Sequence, residues 1–160
     1  MDAAERLGLE RVIWVPTAVQ PLKAGAPHAA SVGARYAMVL AATSADPRFA
    51  ASRIEIDRPG LSYTVDTVEA FAREYPDAER FLLVGEDAYL RFDEWRDPGR
   101  IRTFVQVEVL ARRDDSEYAG RVVEVSSTEI RARVRADKSV RGFVQDAVAE
   151  IIESEGLYQW

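Results

Sequence analysis

The sequence predicts an α/β fold, a doubly wound and mainly parallel sheet, and three observations carry that expectation. Short apolar runs, Val12 to Val15 and Phe81 to Val84, have the continuous hydrophobicity of strands covered on both faces. Longer stretches between them space apolar side chains for helices, as in Val65, Val68, Phe71 and Ala72. Proline and glycine mark the hand-overs at Pro16, Pro47, Pro76 and Gly85. Strands alternating with helices in this way build right-handed βαβ units, and ligands of such sheets bind beyond the carboxyl ends of the strands.

The elements follow in order. Asp2 to Leu7 reads as the tail of a helix stopped by Gly8. Val12 to Val15 is a strand ended by Pro16, and residues 17–30 form a loop holding Lys23 and His28. Ser31 caps a helix through Ala45 whose buried face is Tyr36, Val39, Leu40 and Thr43. Ile54 to Asp57 alternates and reads as a second, less buried strand. The turn-rich Arg58 to Thr64 leads into a helix through Tyr75. After the Phe81 strand, the chain is expected to be helical from Gly85 through Trp95, and Asp97-Pro98 opens another short helix. Val105 to Leu110 alternates as a strand, and Arg112 to Gly120 is a charged surface loop with no functional signal. Val122 to Val125 is the last strand, Glu129 to Ala136 its helix, and Phe143, Val144, Ala147, Val148, Ile151 and Ile152 make the face of a C-terminal helix.

Composition narrows the function classes. The 160 residues suit a single domain, 1–160, with 48% hydrophobic and 30% charged residues. No segment is apolar over a bilayer-spanning length and the start lacks a signal peptide, so the expected location is the cytoplasm. The absence of cysteine removes disulfides, thiolate nucleophiles and cysteine-based metal sites. A net charge of −6 argues against a nucleic-acid or membrane partner, so an anionic substrate must be held by a few placed cations. Lys23, Arg35, Arg58 and Arg131 are the candidates; a homo-oligomer is compatible with all of this. His28 is the lone histidine, and no mechanism here can use two imidazoles.

The most informative stretch runs from Val122 through Ser126-Ser127-Thr128 to Arg131. A β-branched run that breaks into hydroxyls and becomes helical points free N–H groups and a positive dipole end beyond the strand tip, which suits a phosphate. Arg131 adds a guanidinium fork in the first turn. Ser126 with Glu129 also has the spacing of an ordinary capping box, and the two readings are compatible.

Four stretches together resemble the bacterial nicotinate-nucleotide adenylyltransferases, a family of Rossmann-like nucleotidyltransferases with a His-x-Gly-His signature. They are Val15-Pro16 with Lys23, Arg58-Pro-Gly-Leu-Ser-Tyr-Thr-Val-Asp-Thr67, Val84-Gly85-Glu86-Asp87 with Trp95, and Val125-Ser-Ser-Thr-Glu-Ile-Arg131; Leu157-Tyr158 at the end fits as well. The resemblance implies adenylyl transfer from ATP, with Mg²⁺, to nicotinate mononucleotide in NAD biosynthesis. It implies that Gly85 and Asp87 take the adenosine ribose and that Ser127, Thr128 and Arg131 hold the ATP phosphates. It further implies that Lys23 pairs with the mononucleotide phosphate, Thr64 helps bind the nicotinate carboxylate and Trp95 stacks on the pyridine ring. Plainer roles stand beside these: packing for Trp95 and Tyr63, helix capping for Thr64, Asp66 and Asp87, and solvated charge for Lys23 and Arg58.

The family opens with a strand, a Gly-rich turn and a helix carrying His-x-Gly-His, and none of these occurs in the 160 residues. The resemblance therefore implies a chain lacking its first strand, whose neighbours lose hydrogen-bond partners. Low activity of the chain as written is expected, with a start codon placed too late as the expected account. A catalytically inactive nucleotide-binding or interaction module derived from this fold is the alternative.

Overall fold

A computed structural model describes residues 2–18, 30–110 and 125–159. The helices are α1 (Asp2–Arg6), α2 (Val32–Thr43), α3 (Thr64–Glu74), α4 (Glu86–Tyr89), α5 (Pro98–Phe104), α6 (Ser127–Arg135) and α7 (Asp146–Ser154). The strands are β1 (Val12–Trp14), β2 (Phe49–Ala51), β3 (Phe81–Gly85) and β4 (Gln106–Leu110). The chain forms two compact units, one of Met1–Gly60 with Glu124–Trp160 and one of Leu61–Val123. The described strands make one parallel pair in each unit, β1 with β2 and β3 with β4.

In the first unit, local signals set the helix ends. Gly8 stops α1 at φ 60°, where the Leu9 amide reaches back to the Ala4 carbonyl at 2.8 Å. The Ser31 hydroxyl caps α2 by accepting from the Ala34 amide at 3.0 Å. The buried core is aliphatic and helical: Ala34 of α2, Ile130 of α6, and Val148, Ala149 and Ile152 of α7, closed by Val140 and Leu157. Small residues at this contact let α2 and α7 approach closely, and the Gln145 amide donates to the Ala42 carbonyl at 3.0 Å.

Two expectations for this unit are corrected. The strand lies at Phe49–Ala51, and Ile54 to Ile56 is a turn. Pairing decides this: Val12, Ile13 and Trp14 register with Phe49, Ala50 and Ala51, and the Val12 amide takes the Arg48 carbonyl at 2.9 Å. Asp46 holds Arg48 by a two-pronged fork, with contacts of 3.1 and 2.7 Å, and so starts the strand early. The inner face of α2 is also rotated. Ala34 and Thr43 are buried, Met38, Ala41 and Ala42 pack on the core, and Leu40 is 51% exposed. β1 is less enclosed than its apolar run suggests, with Trp14 half exposed and edge-on to Phe49.

The second unit packs α3 and α5 around an aromatic core. Phe92 and Ile101 are fully buried with Val65 and Val68, and Tyr63, Trp95 and Phe104 pack against them. The five-residue pairing of β3 with β4, from Phe81 opposite Gln106 to Gly85 opposite Leu110, follows the apolar runs. Arg80 staples the unit by donating to the carbonyls of Tyr75 at 2.6 Å and Phe104 at 3.0 Å. Asp97, at φ 53°, caps α5 by accepting from the Arg100 amide at 3.2 Å.

The expected continuous helix from Gly85 through Trp95 is instead the single turn α4 and a 3₁₀ turn at Phe92–Glu94. Driving Phe92 into the core breaks the helical periodicity there. Phe143 and Val144 likewise precede α7 in a turn. The charged segment 112–120 and all but the last residue of the strand expected over Val122 to Val125 lie outside the described residues, and Val125 itself is in no strand.

Candidate functional site

In the first unit the site begins at the N-terminus of α6. The Ser126 hydroxyl accepts from the Glu129 amide at 3.1 Å, and the Ser126 carbonyl accepts from the Ile130 amide at 3.0 Å. Ile130 is buried and anchors the turn from behind. The amides of Ser127 and Thr128 are the first of the helix and have no intrahelical acceptor. Both side chains are exposed, and the Arg131 guanidinium donates to the Thr128 hydroxyl at 3.3 Å. Ser126 caps the helix, while the exposed side chains of Ser127 and Thr128 and the Arg131 guanidinium lie in its first turns.

Arg35 has a different task from the free cation the sequence suggests. It donates to the carbonyls of Thr17 at 2.6 Å and Ala18 at 3.1 Å, clamping the chain beyond β1. Burial pushes the Tyr158 hydroxyl above its usual pKa, while the charges of Arg131 and Arg35 pull it down. Tyr158 adopts a left-handed φ of 64°. Lys23 and His28 lie outside the described residues.

In the second unit, Gly85 ends β3 and leads into α4. A Cβ built on it would meet nothing within 4 Å among the described residues. Asp87 is in the first turn of α4 and exposed, and the position before that helix belongs to Gly85, so Asp87 is not its N-cap. Thr64 is the first residue of α3; Tyr63 holds the cap position with no side-chain bond, which removes the capping roles of Thr64 and Asp66. The Trp95 ring packs on Phe92 at 5.1 Å with its side chain half buried. One face is held by the core.

Sequence reading missed two features at this end. The Arg96 guanidinium lies 4.5 Å from the centre of the Tyr63 ring. Ser62 is 7% exposed and its hydroxyl has no hydrogen-bond partner among the described residues. No local pattern marks the first, because it depends on the return of the chain from Trp95 towards Tyr63.

Comparison with known proteins supplies the family. A cytidylyltransferase-like family model matches residues 1–133. A probable nicotinate-nucleotide adenylyltransferase of Gemmatimonas aurantiaca is 42% identical over 99% of this chain and 82% of its own length. The chain belongs to the nicotinate-nucleotide adenylyltransferase family. A second member, from Thermus thermophilus, is 39% identical over 99% of this chain and 88% of its own length. A solved candidate adenylyltransferase of this family from Vibrio parahaemolyticus shares the fold at a TM-score of 0.68, with 17% identity over 94% of this chain and 79% of that one. Family membership and the shared fold bear out the α/β nucleotidyltransferase class expected from the sequence.

Proposed function

We propose that this chain transfers the adenylyl group of ATP to nicotinate mononucleotide, giving nicotinate adenine dinucleotide and pyrophosphate. The observation that carries the reading is the α6 terminus, where Ser127, Thr128 and Arg131 present donors while Ser126 satisfies the cap. Membership of the adenylyltransferase family supplies the reaction class.

The chemistry asks little of acid–base groups. The nucleophile is a phosphate of the mononucleotide, already ionised near neutral pH, so catalysis is in-line positioning and stabilisation of charge on the phosphates. The Ser127 and Thr128 amides and hydroxyls, with Arg131, bind and orient the ATP phosphates. Gly85 and Asp87 take the ribose, Trp95 the pyridine ring, Thr64 the carboxylate and Lys23 the mononucleotide phosphate. Mg²⁺ would arrive on the ATP phosphates, where it would neutralise their charge. We place the protein in the cytoplasm as a single domain without nucleic-acid partners.

Calorimetric titration with ATP–Mg²⁺ and with nicotinate mononucleotide, alongside pyrophosphate release with both, tests the proposal. Binding of both nucleotides is expected, and binding is the readout that needs no imidazole. A chain that takes ATP but never the mononucleotide, alone or after ATP, would sink it.

A further inference from the structure

The turn that follows α7 contains a conformation that a bulky residue rarely adopts. Gly156 has φ 58° and Tyr158 has φ 64°, so the backbone enters the left-handed region twice within one turn. Glycine does so freely, whereas a tyrosine side chain crowds its own backbone there. The packing shows what the conformation achieves. The Leu157 amide donates to the Ile152 carbonyl at 3.0 Å and its side chain is buried in the core of α2, α6 and α7, while the Tyr158 ring packs on that same core. Successive side chains of an extended chain point to opposite sides, so laying two neighbours on one core needs a backbone that departs from the extended form. The left-handed Tyr158 is that departure.

The core under the ring is also the one that seats two arginine-bearing segments. Its buried members Ala34 of α2 and Ile130 of α6 each precede an arginine in the chain, Arg35 and Arg131. The two guanidinium groups are held differently. Arg35 donates to the carbonyls of Thr17 and Ala18 at 2.6 and 3.1 Å, whereas Arg131 reaches the Thr128 hydroxyl of its own helix at 3.3 Å. Burial raises the pKa of the Tyr158 hydroxyl, and the charges of Arg131 and then Arg35 oppose that rise. The phenol therefore lies within the field of both cations, and a phenol oxygen in such a field turns its lone pairs to the N–H donors.

We propose that Tyr158 is a positioning residue for Arg131: its ring is locked on the core that seats Ile130, and its hydroxyl holds the Arg131 guanidinium in the direction of a phosphate. This rests on the reading of the α6 terminus as the ATP phosphate site and deepens it by naming what orders the cation. A long side chain loses rotamer freedom when it grips a ligand, and a neighbour that restricts it beforehand removes part of that cost from binding. Arg35 is already fixed on carbonyls, so the orientation at stake is that of Arg131.

The test is calorimetric binding of ATP–Mg²⁺ and of inorganic pyrophosphate to the full chain, in wild type, Tyr158→Phe, Tyr158→Ala, Arg131→Gln and the double variant Tyr158→Phe with Arg131→Gln. Tyr158→Phe keeps the ring and is expected to keep the thermal midpoint of wild type while weakening both ligands about threefold, the scale of one hydrogen bond. Tyr158→Ala is expected to lose stability as well and to bind both ligands more weakly still. The double variant is expected to bind no more weakly than Arg131→Gln alone, because the hydroxyl acts through the guanidinium; a general loosening of the fold would not show this dependence. Tyr158→Phe that binds as wild type does, or that weakens binding equally with Arg131 replaced, overturns the inference and leaves the phosphate site standing. Wild type that binds neither ligand, or Arg131→Gln that binds both as well as wild type, overturns the phosphate site and the inference together.

Discussion

Each unit carries a parallel strand pair, but the cores behind the two pairs are of opposite kinds. The first packs alanines and branched aliphatics between α2, α6 and α7, with Ala149 fully buried. The second packs Phe92, Tyr63, Trp95 and Phe104 around Ile101. The first unit's proposed phosphate site uses backbone amides and small hydroxyls, for which the core need only fix a helix end, and Ile130 does that. In the second, the core's own rings extend outward as the proposed surface for a heteroaromatic ring, and they steer arginines as they do so. Aliphatic packing is enough to position a helix dipole, whereas recognition of a ring needs rings already braced from behind.

The largest effect expected of that contrast comes from its centre. Phe92→Ala should lower the unfolding free energy by about 3–5 kcal/mol, as large-to-small core changes do, and should free Trp95 from its support. Denaturant unfolding and near-ultraviolet circular dichroism measure the two. A variant of near wild-type stability would show that the aromatic cluster is not what holds this unit.

Arg131→Gln comes next. Charge-assisted hydrogen bonds are worth about 1.5–3 kcal/mol, so ATP should bind at least about tenfold more weakly while nicotinate mononucleotide is little affected. Equal losses for both ligands would overturn the assignment of Arg131 to the ATP phosphates. Ser126→Ala is a smaller perturbation. Removing the cap should cost about 1 kcal/mol of stability, read from thermal unfolding, with a smaller loss of ATP affinity than Arg131→Gln produces. The reverse order would make Ser126 a ligand contact and not merely a cap.

The smallest expected effect is the pH response of the turn that starts β2. Hydrogen bonds from the Arg48 side chain, then from its amide, hold the Asp46 carboxyl at about 2, below its ordinary 3.8. A depressed folded value means that the stabilisation is full above pH 3.8 and is lost as pH falls towards 2. Asp46→Asn should therefore lower stability at neutral pH slightly and flatten its acid dependence across that window. Acid titrations of the two proteins that run parallel would show that the fork contributes nothing to folding.

Local signals explain what was legible in the chain. Gly8, Ser31, Ser126 and Asp97-Pro98 end or begin helices through their own backbone preferences and short side chains, and each does so where the sequence implies. The runs at Phe81 and Val105 became strands because a continuous apolar run and an alternating valine run each suit a sheet. The strand at Phe49–Ala51 was not legible, since two of its three residues are alanine and Ile54-Glu55-Ile56 alternates more clearly. Register with β1 outweighed propensity there.

The sequence by itself determined the motifs of the candidate site: the hydroxyls before α6 with Arg131, the glycine and acid after β3, and the Ser-Tyr-Thr loop with Trp95. These are short, and their chemistry lies in residue types at fixed spacing. Tertiary structure alone decided which arginines have charge to spare. Arg35 was drawn into a clamp on backbone carbonyls, and Arg96 was left on an aromatic face with its donors open. A guanidinium reaches whatever the fold brings within a few ångströms, and that neighbour is set by chain segments distant in sequence.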